Sequence, residues 1–167
     1  MPNVEIRGSE FAESSAVGTV LGFASTLVSE WDVPHFELFW AGLDQELPEA
    51  LRRLQHPIDQ ILGFRALPTD WDSYGSRPID DRAIACSLVL LIQAESEKAH
   101  PPHVCPVPGG GVQLEWQLGR RALELEALPD GSARFLRVDG ETMHEGPLDP
   151  NEQTQVRSHV QWLFAKR

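Results

Sequence analysis

Apolar and polar residues alternate without a break along Val112-Gln113-Leu114-Glu115-Trp116-Gln117-Leu118, and the alternation resumes at Leu123-Glu124-Leu125-Glu126-Ala127. A period of two marks strands with one buried face. Gly119-Arg120 between them reads as a two-residue hairpin turn beginning with glycine. Pro129-Asp130-Gly131 reads as a second turn, leading into a strand from Ala133 to Val138. Asp139-Gly140 then leads to a short strand near Thr142 to Glu145. The C-terminal half therefore predicts an antiparallel meander of three or four strands.

Elsewhere the spacing is helical. Leu47 to Leu54 reads as a helix entered through Pro48, and Pro57 is expected to end or kink it. Ile58, Ile61, Leu62 and Phe64 continue at helical spacing towards Pro68. Asp80 is placed to cap a second helix running to about Lys98. Its stripe of Ile84, Leu88, Leu91 and Ile92, joined by Ala85 and Val89, predicts cover on most sides. After Pro150, the run Val156, His159, Val160, Leu163 and Phe164 marks a closing helix. Residues 1–15 read as an arm or a short edge strand around Val4-Glu5-Ile6, and 16–33 suit a strand better than a helix. Pro34 reads as a break, and Phe36 to Trp40 has strand-like composition. The expected fold is α+β, with helices packed on one face of the meander. Residues 1–45 are expected to form a separate N-terminal segment and 46–167 a single domain.

The hairpin at Gly119-Arg120 has consequences for charge. It sets Trp116 opposite Leu123 and Leu114 opposite Leu125 on the buried side, and Glu115 opposite Glu124 on the other. Like charges at that separation are unfavourable. A two-residue turn at Asp130-Gly131 would place Arg137 opposite Glu124 and supply the offset. The outer face, with Glu115, Glu124 and Glu126, then reads as a solvated surface neutralised by Arg134 and Arg137. The competing reading is a carboxylate cluster open to a cation or a basic partner.

Trp71-Asp72-Ser73-Tyr74-Gly75 gathers two aromatic rings, a carboxylate and a glycine in one turn. Trp71 and Tyr74 are expected to anchor the loop to the body. Asp70 and Asp72 could hold a divalent cation or share acid–base work, although acidic residues are common in turns. His100, His103 and Cys105 crowd six residues but form no closed ligand pattern, so the segment reads as a loop with incidental histidines. His144 and His159 have no visible partners. Gly109-Gly110-Gly111 precedes a strand instead of a helix, which argues against a phosphate cradle. No nucleophile elbow and no Cys-His pair is evident. No catalytic residue, metal site or cofactor is expected from these patterns.

A net charge of −11 and a pI near 4.9 disfavour nucleic acid and anionic membranes as partners and favour a basic protein surface. Cys86 and Cys105 are the only cysteines, too few for a disulfide framework. The N-terminus lacks a signal-peptide pattern, and the stretch Val17 to Val28 is too short and too interrupted to span a bilayer. A cytoplasmic location is the resulting expectation.

Trp71-Asp72-Ser73-Tyr74-Gly75-Ser76-x-Pro78-Ile79, the following helix, and Gly110-Gly111-Val112-Gln113-Leu114-Glu115-Trp116 together carry a resemblance over residues 60–146. They resemble a family of small uncharacterised bacterial proteins with a W-D-x-Y-G loop and a G-G-x-Q-L-E-W strand. The resemblance implies a shared domain and assigns no catalytic residue. Ser73 stands where that loop has glycine. Two functions follow as expectations. The favoured one is an acidic, non-enzymatic interaction module of antitoxin, immunity or defence-accessory kind, binding a basic partner through Trp71, Asp72, Tyr74, Glu115, Glu124 and Glu126. The alternative is a small metal-dependent hydrolase or nucleotide-handling enzyme using Asp70, Asp72 and His103.

Overall fold

A computed structural model describes residues 49–96 and 99–165, together with Val33, Pro34 and Trp40. The readings made over residues 1–32 and 36–39, and the helix entry at Leu47-Pro48, lie outside the described residues. Pro34 and Trp40 are both helical, against the expected break and strand. Val33 and Trp40 are buried in the hydrophobic core, and the Trp40 indole donates to Asp59 Oδ1 at 3.1 Å.

Helices α1 (Glu49–Arg52) and α2 (Gln55–Gly63) are followed by a 3-10 turn over Phe64–Ala66. The break falls at Arg53-Leu54, ahead of Pro57, which sits in the first turn of α2. There a missing N–H costs nothing, so the proline opens a helix instead of ending one. Helix α3 (Asp81–Ala94) begins at the expected cap, with the Asp80 carboxylate accepting from the Arg82 amide at 3.0 Å. Every residue from Ala83 to Ala94 is buried, as a helix apolar on nearly all sides requires. It stops at Ala94, short of the expected Lys98. Glu95 turns out of the helix into extended backbone and pairs with Arg53 in the α1–α2 connection.

Among the described residues the sheet has five strands in meander order, all neighbours antiparallel: β1 (His103–Val107), β2 (Gly111–Leu118), β3 (Arg121–Ala127), β4 (Ala133–Asp139) and β5 (Thr142–Leu148). Strand β1 takes in His103 and Cys105, part of the segment expected to be a loop. Among the described residues it pairs only with β2, and an edge strand tolerates Pro106. Strand β5, the other edge, runs past the expected Glu145 through Pro147. Helix α4 (Gln153–Phe164) closes the chain. Helix α3 contacts β2, β3, α2 and α4, while α4 also contacts β3 and α2 reaches β1. Val104, Val112, Leu114, Trp116, Leu123, Leu125, Ala127 and Ala133 form the buried side of the sheet.

The β2–β3 hairpin matches expectation: Leu114 faces Leu125, Trp116 faces Leu123 and Glu115 faces Glu124, around a turn in which Gly119 has φ +60°. The β3–β4 register differs by one residue. Leu128 N donates to Ser132 O at 2.8 Å and Gly131 N to Leu128 O at 2.9 Å, with Gly131 at φ +85°. This is a three-residue loop closed by a left-handed glycine, not a two-residue turn. Asp130 fixes it by accepting from the Ser132 amide and hydroxyl at 2.9 and 2.6 Å. Glu124 therefore faces Leu136, Glu126 faces Arg134, and Arg137 faces Leu123 on the opposite side of the sheet.

On that inner side Arg137 lies 5.0 Å from the Trp162 ring of α4, and Arg121 lies 5.4 Å from the same ring. Arg121 also donates to the Trp162 and Ala165 carbonyls at 2.9 and 3.1 Å, satisfying acceptors at the end of α4. His159, only 8% exposed, stacks on Phe135 with centroids 4.1 Å apart, and its Nδ1 has no hydrogen-bond partner among the described residues. Burial, then the Arg137 charge, lowers its pKa below 6.5. A depressed histidine pKa means that the unfolded chain binds the proton more readily, so this contribution is complete above pH 6.5 and lost as pH falls through the folded value. Chemical denaturation across that range should show stability falling with acidification, and the fall should be smaller in His159→Gln. An identical pH profile in the variant would remove His159 as the cause.

Candidate binding surface

The loop from Pro68 to Ile79 is held by its own carboxylates. Asp72 Oδ1 accepts from the Tyr74 and Ser76 amides at 3.0 and 3.2 Å, and Oδ2 from the Ser76 hydroxyl at 2.6 Å. Asp70 Oδ1 accepts from the Gly75 amide at 2.7 Å, while the Asp70 amide donates to Ser76 O at 2.7 Å. The Ser76 hydroxyl first, and the Tyr74 amide next, hold the Asp72 carboxyl below its ordinary pKa of 3.8. Both carboxylates thus serve as internal clasps. Asp70, Ser73 and Gly75 have φ of 66°, 63° and 85°. Ser73 occupies backbone that favours glycine.

Of the two rings expected to anchor this loop, only Trp71 does so. It packs against the core, and its indole donates to Arg77 O at 3.2 Å. Tyr74 is 92% exposed, because the clasp turns the Ser73-Tyr74 tip outward. The loop's base meets the start of β2: Arg77 Nε donates to Gly109 O and the Asp80 amide to Gly110 O at 3.0 Å. Gly110 has φ +96°, and a Cβ there would lie 3.0 Å from Pro78 O. The glycines thus permit close approach of two backbones.

On the outer face of the sheet, β1 to β5 line up His103, Glu115, Glu124, Leu136 and Glu145 in one row and Cys105, Gln113, Glu126, Arg134 and Pro147 in the next. Arg134 pairs with Glu126 through Nη2 at 2.6 Å and Nε at 2.7 Å. Arg137, expected here, faces the other way, so Glu124 lacks the cation assigned to it. The Gln113 amide donates to Glu115 Oε1 at 2.9 Å and to Glu124 Oε2 at 3.0 Å, bridging the two carboxylates. Partial burial, then Glu115 and Glu126, raises the Glu124 pKa above 4.5. Glu124, Glu126, Arg134, Leu136 and Glu145 line a shallow concavity of about 120 Å³.

His103 and Cys105 belong to this face. His103 Nδ1 lies 3.4 Å from Glu115 Oε2, and the Cys105 thiol donates to Glu115 Oε1 at 3.5 Å. The missed signal was the alternation of His-Val-Cys, which puts both side chains on one side of a strand. His100 stays apart, its Nδ1 3.0 Å from Pro101 O and its ring edge-on to Phe164. Burial, then Glu115, pushes the Cys105 thiol up to about 11, and burial pushes Cys86 up to about 12. Neither thiol is set up as a nucleophile at neutral pH.

Gly75 and Gly110 both have left-handed backbone, but a Cβ on Gly75 would meet nothing within 4 Å. Gly75→Ala should cost about 1–2 kcal/mol in denaturant titration, from backbone strain alone. Gly110→Ala should cost clearly more, because it also presses on Pro78 O. Equal costs would mean that the loop does not bear on the β1–β2 turn. Compared with protein-family models, with curated proteins and with solved structures, the chain gives no match.

Proposed function

We propose that the protein is a non-enzymatic interaction module whose acidic sheet face docks a basic protein surface, as an antitoxin, immunity or defence-accessory protein would. The observation that carries the reading is the inward placement of Arg137, which among the described residues leaves Glu115 facing Glu124 without an arginine opposite either of them in the sheet. Glu145 adds charge to the same row, and Arg134 is already engaged by Glu126. Among the described residues, the helices contact the sheet on the side of its buried residues, which supports reading the acidic side as the docking face. Apolar contact is at hand, since Leu136, Val138 and the 64% exposed Met143 share the acidic side. Interfaces commonly combine a few such anchors with charges that steer the encounter. Tyr74 is the residue of its loop that a partner can reach, whereas Trp71 and Asp72 hold the loop in shape. The internal engagement of Asp70 and Asp72 weighs against a hydrolytic pair there.

The test is a dissociation constant against the partner captured from the native host. Glu124→Lys should weaken binding at least tenfold, about 1.4 kcal/mol, and added salt should weaken the wild type more than the variant. Tyr74→Ala should weaken it with no change in fold stability. Unchanged affinity in Glu124→Lys would sink the reading.

A further inference from the structure

We propose that His103, Cys105 and Glu115 form a binding site for a soft divalent cation of the zinc class. The three side chains project from the outer face of β1 and β2, where His103 faces Glu115 in register and Cys105 follows two residues later on the same side. One donor atom from each lies within 4.8 Å of the other two. A tetrahedral zinc site with ordinary Zn–N, Zn–O and Zn–S bonds has ligand separations of roughly 3.3–3.6 Å. The His103–Glu115 and Cys105–Glu115 distances of 3.4 and 3.5 Å already fall there. Glu115 stands between the other two, one oxygen towards each, so little rearrangement brings all three onto a common ion.

The chemistry is selective. A thiolate, an imidazole and a carboxylate suit zinc or cobalt, whereas magnesium and calcium prefer an all-oxygen shell. Thiolate and carboxylate together offset a divalent charge. The Cys105 proton now points at Glu115; on binding, the sulfur–metal bond replaces the S–H bond and that proton leaves to solvent. Gln113 donates to Glu115 Oε1, the kind of outer partner that orients a ligand carboxylate. Three protein donors leave a fourth position, and His103 and Glu115 also line a concavity of about 440 Å³ together with His100, Gln117, Ala122 and Glu124. Water or an anionic group of a ligand would fill the fourth position.

This site does not depend on the docking reading, and its test uses no partner. The full chain, stripped of metal with a chelator, is titrated with Co²⁺ and followed by absorbance. One equivalent should produce a sulfur-to-cobalt charge-transfer band, Zn²⁺ should abolish it by displacement, and Mg²⁺ should leave it unchanged. Cys105→Ser should lose the band, and His103→Gln, at an exposed edge position, should weaken affinity at least tenfold while the circular dichroism of the sheet is unchanged. A wild type without the band, a band that survives in Cys105→Ser, or full affinity in His103→Gln would each overturn the proposal.

Discussion

Side chains along a strand alternate between the faces of a sheet, so one added residue in a turn reverses every side chain that follows. The loop at Pro129-Asp130-Gly131 exerts that control here. Its three residues, closed by the left-handed Gly131 and clasped by Asp130, place Arg134 outside and Arg137 inside. A two-residue turn would send Arg137 to Glu124 and Phe135 to solvent. The observed register instead places Phe135 against His159 and leaves the outer carboxylates short of one cation. Packing decides between the two, because Phe135 gains more from burial than an exposed ion pair would return.

The inner face must then accommodate an arginine. It does so beside aromatic surface: Arg121 and Arg137 both approach the Trp162 ring, and Arg121 satisfies the last carbonyls of α4. The same seam buries His159 with a ring nitrogen that has no hydrogen-bond partner among the described residues, which ties the docking of α4 to pH. At the far end of β2 a different device joins loop to sheet. Gly109 and Gly110 let the Arg77-Pro78 backbone approach closely, so the W-D-x-Y-G and G-G-x-Q-L-E-W segments are one packed unit.

Much of this was legible in the residues. Strict alternation in β2 and β3 and a glycine at the start of their turn predicted the hairpin and its register, pair by pair. The Asp80 cap and the all-round cover of α3 followed from composition and spacing. What the sequence hid was decided by context. Pro-Asp-Gly fits turns of two lengths, and only the packing of Phe135 separates them. Strand β1 carries Pro106 and two polar residues, a pattern that looks like loop until its edge position is known. The His103-Cys105-Glu115 cluster spans two strands, so no linear spacing could reveal it. The size of the Tyr74 ring suggests an anchor, whereas the Asp72 clasp turns the tip outward.

The charge balance of the outer face depends on the β3–β4 register, which cross-strand NOE contacts in a labelled sample report directly. Contacts linking Glu124 with Leu136 and Glu126 with Arg134 are predicted. Contacts linking Glu124 with Arg137 would return that arginine to the outer face and remove the charge imbalance from which the proposed function is argued.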